Sequence, residues 1–125
     1  MKGHHDFVKS LCLSSTHLYS GSSDSTIKKW NWETGQCLLT MNSHSRGIES
    51  LIISSSHLDS NESNEFLYSA SSDTFIKKWD PQSGVCLETW SGHLTSVYSL
   101  SLVDGVLWSS SADKTVFRWD MDVSI

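Results

Sequence analysis

The sequence predicts an all-β chain built from three successive repeats, and three observations carry that prediction. A twelve-residue stretch occurs three times, as SGSSDSTIKKWN at 20–31, SASSDTFIKKWD at 69–80 and SSSADKTVFRWD at 109–120. In every copy an Asp stands six residues before a Trp, and a Ser stands four before that Asp: Ser20, Asp24 and Trp30, then Ser69, Asp73 and Trp79, then Ser109, Asp113 and Trp119. Successive Trp residues lie 49 and 40 positions apart, a period that signals a propeller or a solenoid. The copies are flanked by short runs rich in β-branched and aromatic residues, bounded by turn residues and almost free of helical periodicity.

In order, the first unit reads as strands at 8–14, 17–22, 26–32 and 36–41, the last following the turn Glu33-Thr34-Gly35. The second reads as strands at 48–54, 66–70, 74–79 and 85–90. Its last turn, Asp80-Pro81-Gln82-Ser83-Gly84, places a proline where the missing N–H costs no ladder bond. The third supplies strands at 97–102, 106–110 and 115–119, with no fourth. Apolar residues occupy both faces of these strands, as in Leu51-Ile52-Ile53 and the opposed pair Ile76 and Trp79. Such strands need cover on both sides, which stacked sheets provide.

A His precedes each copy, as His4, His44 and His93. Gly3-His4 and Gly92-His93, followed by the Ser, the Asp and a closing Trp-Asp, resemble the WD40 repeat over practically the whole chain, with departures at Ser43-His44 and Trp30-Asn31. The resemblance implies a partial WD40 β-propeller of three four-stranded antiparallel blades, the last lacking its outer strand. The repeats would run over about 3–41, 42–90 and 91–125, the second carrying an inserted loop at 54–65 that includes His57, and the third being incomplete. Propellers close with roughly four to eight blades. The sequence therefore reads as a fragment or truncated product of a longer propeller, and self-association of two half-rings is the other way to close it.

The same resemblance implies four structural side chains per blade: the Trp indole donates to the Ser, the Ser bonds the His, and the His bonds the Asp. These sets are His4, Ser20, Asp24 and Trp30; His44, Ser69, Asp73 and Trp79; and His93, Ser109, Asp113 and Trp119. It also implies that partners are read at three positions per blade, here Phe7, Lys9 and Ser23, then Gly47, Glu49 and Ser72, then Ser96, Tyr98 and Ala112. Phe7, Lys9, Glu49 and Tyr98 are the expected contacts for a protein or peptide partner, Lys9 and Glu49 offering opposite charges. In the family an aliphatic residue usually precedes the closing Trp, whereas here Lys29, Lys78 and Arg118 stand there. They either snorkel along apolar surface or form a basic strip for an acidic partner.

Composition narrows the function. Of 125 residues, 38% are hydrophobic and 18% charged, a composition typical of soluble globular chains, and no apolar run approaches membrane-spanning length. Without an apolar leader at the start, the expected location is intracellular, cytoplasmic or nuclear. Three cysteines argue for a reducing compartment, and Cys37 and Cys86, at one repeat position, read as buried small hydrophobes. The net charge of −5 gives no general attraction to nucleic acid or anionic membrane. Ser, His and Asp are the members of a hydrolase triad, yet a triplicated set argues for a structural device, since an active site is built once. No phosphate loop, zinc spacing or carboxylate pair is visible, so no enzyme activity, cofactor or metal is expected. The resulting expectation is a non-catalytic protein–protein interaction scaffold or adaptor. Its alternatives are the substrate-recognition part of a ubiquitin ligase complex and an RNA- or chromatin-associated subunit.

Overall fold

A computed structural model describes residues 2–54 and 65–120. Most of the expected loop at 54–65, with His57, lies outside the described residues, as does Met1. Among the described residues eleven strands follow in chain order: β1 (Val8–Leu13), β2 (Leu18–Ser22), β3 (Thr26–Trp30), β4 (Cys37–Asn42), β5 (Ile48–Ser54), β6 (Phe66–Ser71), β7 (Ile76–Trp79), β8 (Cys86–Trp90), β9 (Val97–Val103), β10 (Val106–Ser111) and β11 (Val116–Asp120). They form antiparallel meanders β1-β2-β3-β4, β5-β6-β7-β8 and β9-β10-β11. Among the described residues β11 has no outer neighbour. Each strand lies within two residues of its expected bounds.

Local chemistry sets the turns. Between β2 and β3 the Asp24 carboxylate accepts the backbone N–H of Thr26, and the Ser22 hydroxyl accepts that of Asp24. The same pattern recurs at Asp73 with Ser71 and at Asp113 with Ser111. These side-chain bonds hold Ser25, Thr74 and Lys114 at φ of 73°, 79° and 72°, a left-handed conformation that costs a non-glycine residue about 1–2 kcal/mol. Between β3 and β4 the Asn31 side-chain oxygen accepts N–H groups of Glu33 and Thr34, and between β7 and β8 an Asp80 carboxylate oxygen accepts that of Gln82. Only an acceptor oxygen is used there, so Asn serves as well as Asp. Gly35 and Gly84 follow at φ of 77°, where a side chain would be strained.

The three sheets stack in sequence. Tyr19, Ile27 and Met41 of the first face Ile48, Leu51, Leu67 and Trp79 of the second in one core. The opposite face of the second sheet offers Tyr68, Ala70 and Ile76 to Val97, Leu100 and Leu107 of the third. The central sheet thus buries both faces, which explains its continuous apolar runs. Serine hydroxyls step between the innermost strands: Ser10 on β1 accepts the backbone N–H of Leu51, and Ser50 on β5 accepts that of Leu100. The repeat equivalents of core residues remain on the outward faces, with Leu11 63% exposed on the first sheet and Val116 65% exposed on the third.

Cys37 and Cys86 are half-buried rather than buried, because β4 and β8 are outermost and their thiols rest beside Thr40 and Thr89. Burial pushes the Cys12 thiol on β1 up to about 12, so it stays protonated.

Candidate functional site

The structure brings each of the three sets of polar side chains together as one hydrogen-bonded chain. In the first, Trp30 Nε1 donates to Ser20 Oγ at 2.8 Å, Ser20 Oγ lies 2.6 Å from His4 Nε2, and His4 Nδ1 lies 3.0 Å from Asp24 Oδ2. The corresponding distances are 2.8, 2.6 and 2.7 Å for Trp79, Ser69, His44 and Asp73. They are 2.8, 2.7 and 3.0 Å for Trp119, Ser109, His93 and Asp113. An ionised carboxylate only accepts, so the ring proton sits on Nδ1 and the serine hydroxyl donates to Nε2. Every serine oxygen is therefore used both as acceptor and as donor, and all three serines are buried.

Two recurring partners escaped the spacing analysis. Ser22, Ser71 and Ser111 donate to carbonyls of the segments leading into β1, β5 and β9, at Asp6, Gly47 and Ser96. The hydroxyls of Thr26 and Thr115 donate to Asp24 and Asp113 and also approach the His ring. The signal was present as Asp-x-Thr. In the central set Phe75 takes that position, so Asp73 relies on His44 and the N–H groups of Phe75 and Ser45.

These contacts govern the acids. Burial alone would raise the Asp24, Asp73 and Asp113 carboxyls. Hydrogen bonds outweigh it: for Asp24 from Thr26, His5 and His4, for Asp73 from His44, Phe75 and Ser45, and for Asp113 from Thr115, Leu94 and His93. All three are held below the usual carboxylate range. A folded-state pKa below the unfolded value of about 3.9 contributes stability that is present above that value and lost as pH falls through the folded one. The urea midpoint is therefore expected to fall as these carboxylates become protonated below about pH 4. Asp73→Asn should flatten that acid limb while lowering stability at neutral pH.

The other candidate residues meet at one end of the sheets. Ser23, Ser72 and Ala112 donate backbone N–H groups to the carbonyls of Phe7, Gly47 and Ser96, clasping each β2–β3-type turn to the segment before the first strand of its sheet. Lys9, Glu49 and Tyr98 each fall at a register shift, between the paired residues Val8 and Ser10, Ile48 and Ser50, and Val97 and Ser99. A bulge leaves its extra residue unpaired and re-aims its side chain. Phe7 is 79% exposed and Tyr98 53%. Lys9 Nζ, however, bonds Glu49 Oε1 at 3.0 Å, and Ser72 Oγ donates to the same oxygen at 2.7 Å. Lys9 and Glu49 thus pair with each other across the first two sheets, Lys9 remaining partly exposed.

The sequence pattern of the family described as WD domain, G-beta repeat matches residues 1–31, 35–80 and 84–120. The chain belongs to the WD40 repeat family. Its three sheets are blades of that fold. It is similar, at 46% identity over 37 residues, to an uncharacterized WD repeat-containing protein of Schizosaccharomyces pombe, covering 30% of this chain and 10% of that protein. It is 46% identical over 43 residues to the nuclear distribution protein PAC1 of Candida glabrata, covering 34% and 9%, and 40% identical over 52 residues to the nuclear distribution protein nudF of Aspergillus terreus, covering 40% and 12%. The matched segments thus span about a tenth of these relatives' lengths.

The glycine of the WD40 Gly-His pair has a local cause in the third blade. A Cβ on Gly92 would come within 2.7 Å of the Phe117 ring, which stacks on His93. In the second blade the flexible Lys77 replaces Phe117, and Ser43 stands where the glycine would be.

The three basic residues before the closing Trp do not form a strip. Lys29 is buried and its ammonium donates to the Pro81 carbonyl of the next blade at 2.9 Å. Lys78 lies 4.1 Å from the centre of the Phe66 ring, and exposed Arg118 pairs with Asp120. Among the described residues no group of three or more His, Cys, Asp or Glu could hold a metal, and no helix is long and apolar enough to cross a membrane.

Proposed function

We propose that this chain is a non-catalytic interaction scaffold or adaptor, binding a protein or peptide partner at the end that carries Phe7, Lys9, Glu49 and Tyr98. The observation that supports it most is the exposure of two aromatic side chains on that end, Tyr98 at a bulge that turns it outward. Exposed aromatics are common interface anchors. The Lys9–Glu49 pair gives them a fixed polar rim. The buried, doubly bonded serines of the three sets leave no nucleophile for a substrate, which favours a structural role for His4, Ser20, Asp24 and Trp30 and their counterparts. The half-buried free thiols fit an intracellular setting.

Covering the outward faces is part of the same proposal. Val8, Leu11 and Leu18 on the first blade stand where Ile48, Leu51 and Leu67 stand on the second, beside a cavity of about 550 Å3 that reaches Trp30. Trp108 and Val116 on the third blade stand where Tyr19 and Ile27 cover that second blade. Further blades, or a second copy, would complete the ring by repeating the packing already seen twice.

Affinity capture with wild type and with the Phe7→Ala, Tyr98→Ala double variant tests the binding end. Capture of the partner should weaken by at least about 1 kcal/mol, with thermal stability unchanged. Undiminished capture would refute the assignment.

A further inference from the structure

We propose that the groove between the second and third blades, at this same end, takes a peptide segment carrying an Asp or Glu side chain, Arg46 binding the carboxylate and Leu94 an apolar neighbour. The inference rests on the binding reading above and narrows it to a partner chemistry. The groove encloses about 410 Å3 and is lined by Arg46, Ser72, Asp73, Thr74, Leu94 and Ser96, among others. Arg46 stands two residues after His44, where the other blades have Asp6 and Thr95. The fold therefore does not require a cation there. Among the described residues its guanidinium makes no ion pair or hydrogen bond, whereas Lys9, Lys29 and Arg118 each hold an acceptor. Leu94 on the opposite wall is 83% exposed, in the position occupied by His5 and Ser45 in the other blades.

The local charge selects the class of anion. One unpaired guanidinium faces a groove whose wall also carries the Asp73 carboxylate, kept ionised by His44, Ser45 and Phe75. A singly charged carboxylate matches that balance and the planar Arg fork, which binds it through two parallel N–H bonds. A phosphate dianion meets the Asp73 charge with only one cation to offset it.

The test is selection of a random peptide library on the full chain, followed by titration of a synthetic enriched peptide against wild type, Arg46→Glu and Arg46→Gln. The expected result is an Asp or Glu next to an aliphatic residue, and binding at least about tenfold weaker to Arg46→Glu. Replacing the peptide's acid by its amide should lose no further affinity in Arg46→Gln, since the two changes remove one interaction. The Arg46 side chain makes no bond within the described fold, its backbone carbonyl alone accepting from Ser71, so both variants should melt as wild type does. Enriched peptides without an acid, equal binding to Arg46→Glu, or tighter binding when phosphoserine replaces the acid would each overturn the proposal. Binding that depends on Phe7 and Tyr98 but not on Arg46 would leave the binding end standing and sink only the groove. A library yielding no binder would refute both.

Discussion

Ser69→Ala is expected to destabilise the protein by about 2–6 kcal/mol, because it strands two buried groups at roughly 1–3 each. Ser69 is fully buried in the central blade, its oxygen accepting from Trp79 at 2.8 Å and bonding His44 at 2.6 Å. Alanine leaves the indole N–H and the imidazole Nε2 without the partner they share. Trp79→Phe removes only the donor and should cost about 1–3 kcal/mol. Trp32→Phe, at a tryptophan 42% exposed, should cost less than about 0.5. Chemical denaturation of the three variants checks the order. Equal losses from Ser69→Ala and Trp32→Phe would mean that the polar chain contributes nothing particular to the blade.

Leu67→Ala carries a comparable effect by a different route. Leu67 has no exposed surface and packs in the core shared by the first two blades. Truncating a buried leucine costs about 2–5 kcal/mol, the lost transfer energy plus the cavity left behind. Leu51 lies in the same core, and its repeat counterpart Leu11, on the outward face of the first blade, is largely exposed. Leu11→Ala should therefore cost less than about 1 kcal/mol in the isolated chain. A matching loss at Leu11 would mean that this face is covered in solution, as ring completion requires.

How much could be read beforehand depended on range. The strands were legible because their alternation, their turn residues and the double-sided apolar runs such as Leu51-Ile52-Ile53 are local. The members of each polar set were legible because Ser, Asp and Trp recur at fixed offsets. The bulges at Lys9, Glu49 and Tyr98 were not, since a bulge depends on how two strands fall into register. The Lys9–Glu49 pair and the burial of Lys29 were hidden for a related reason. Each joins residues of adjacent blades, 40 and 52 positions apart, and depends on the angle at which blades stack. Lys29 in particular resembles a surface lysine until the Pro81 carbonyl is placed opposite its ammonium. The Asp-x-Thr contact was readable and was missed.

Amide hydrogen exchange of the protein alone and with its captured partner tests most directly the claim that binding occurs at the end formed by the three bulges. Protection on binding should rise at 6–9, 46–49 and 94–98 and stay unchanged along β4 and β8. Protection concentrated on β4 and β8, with none at those three segments, would contradict it.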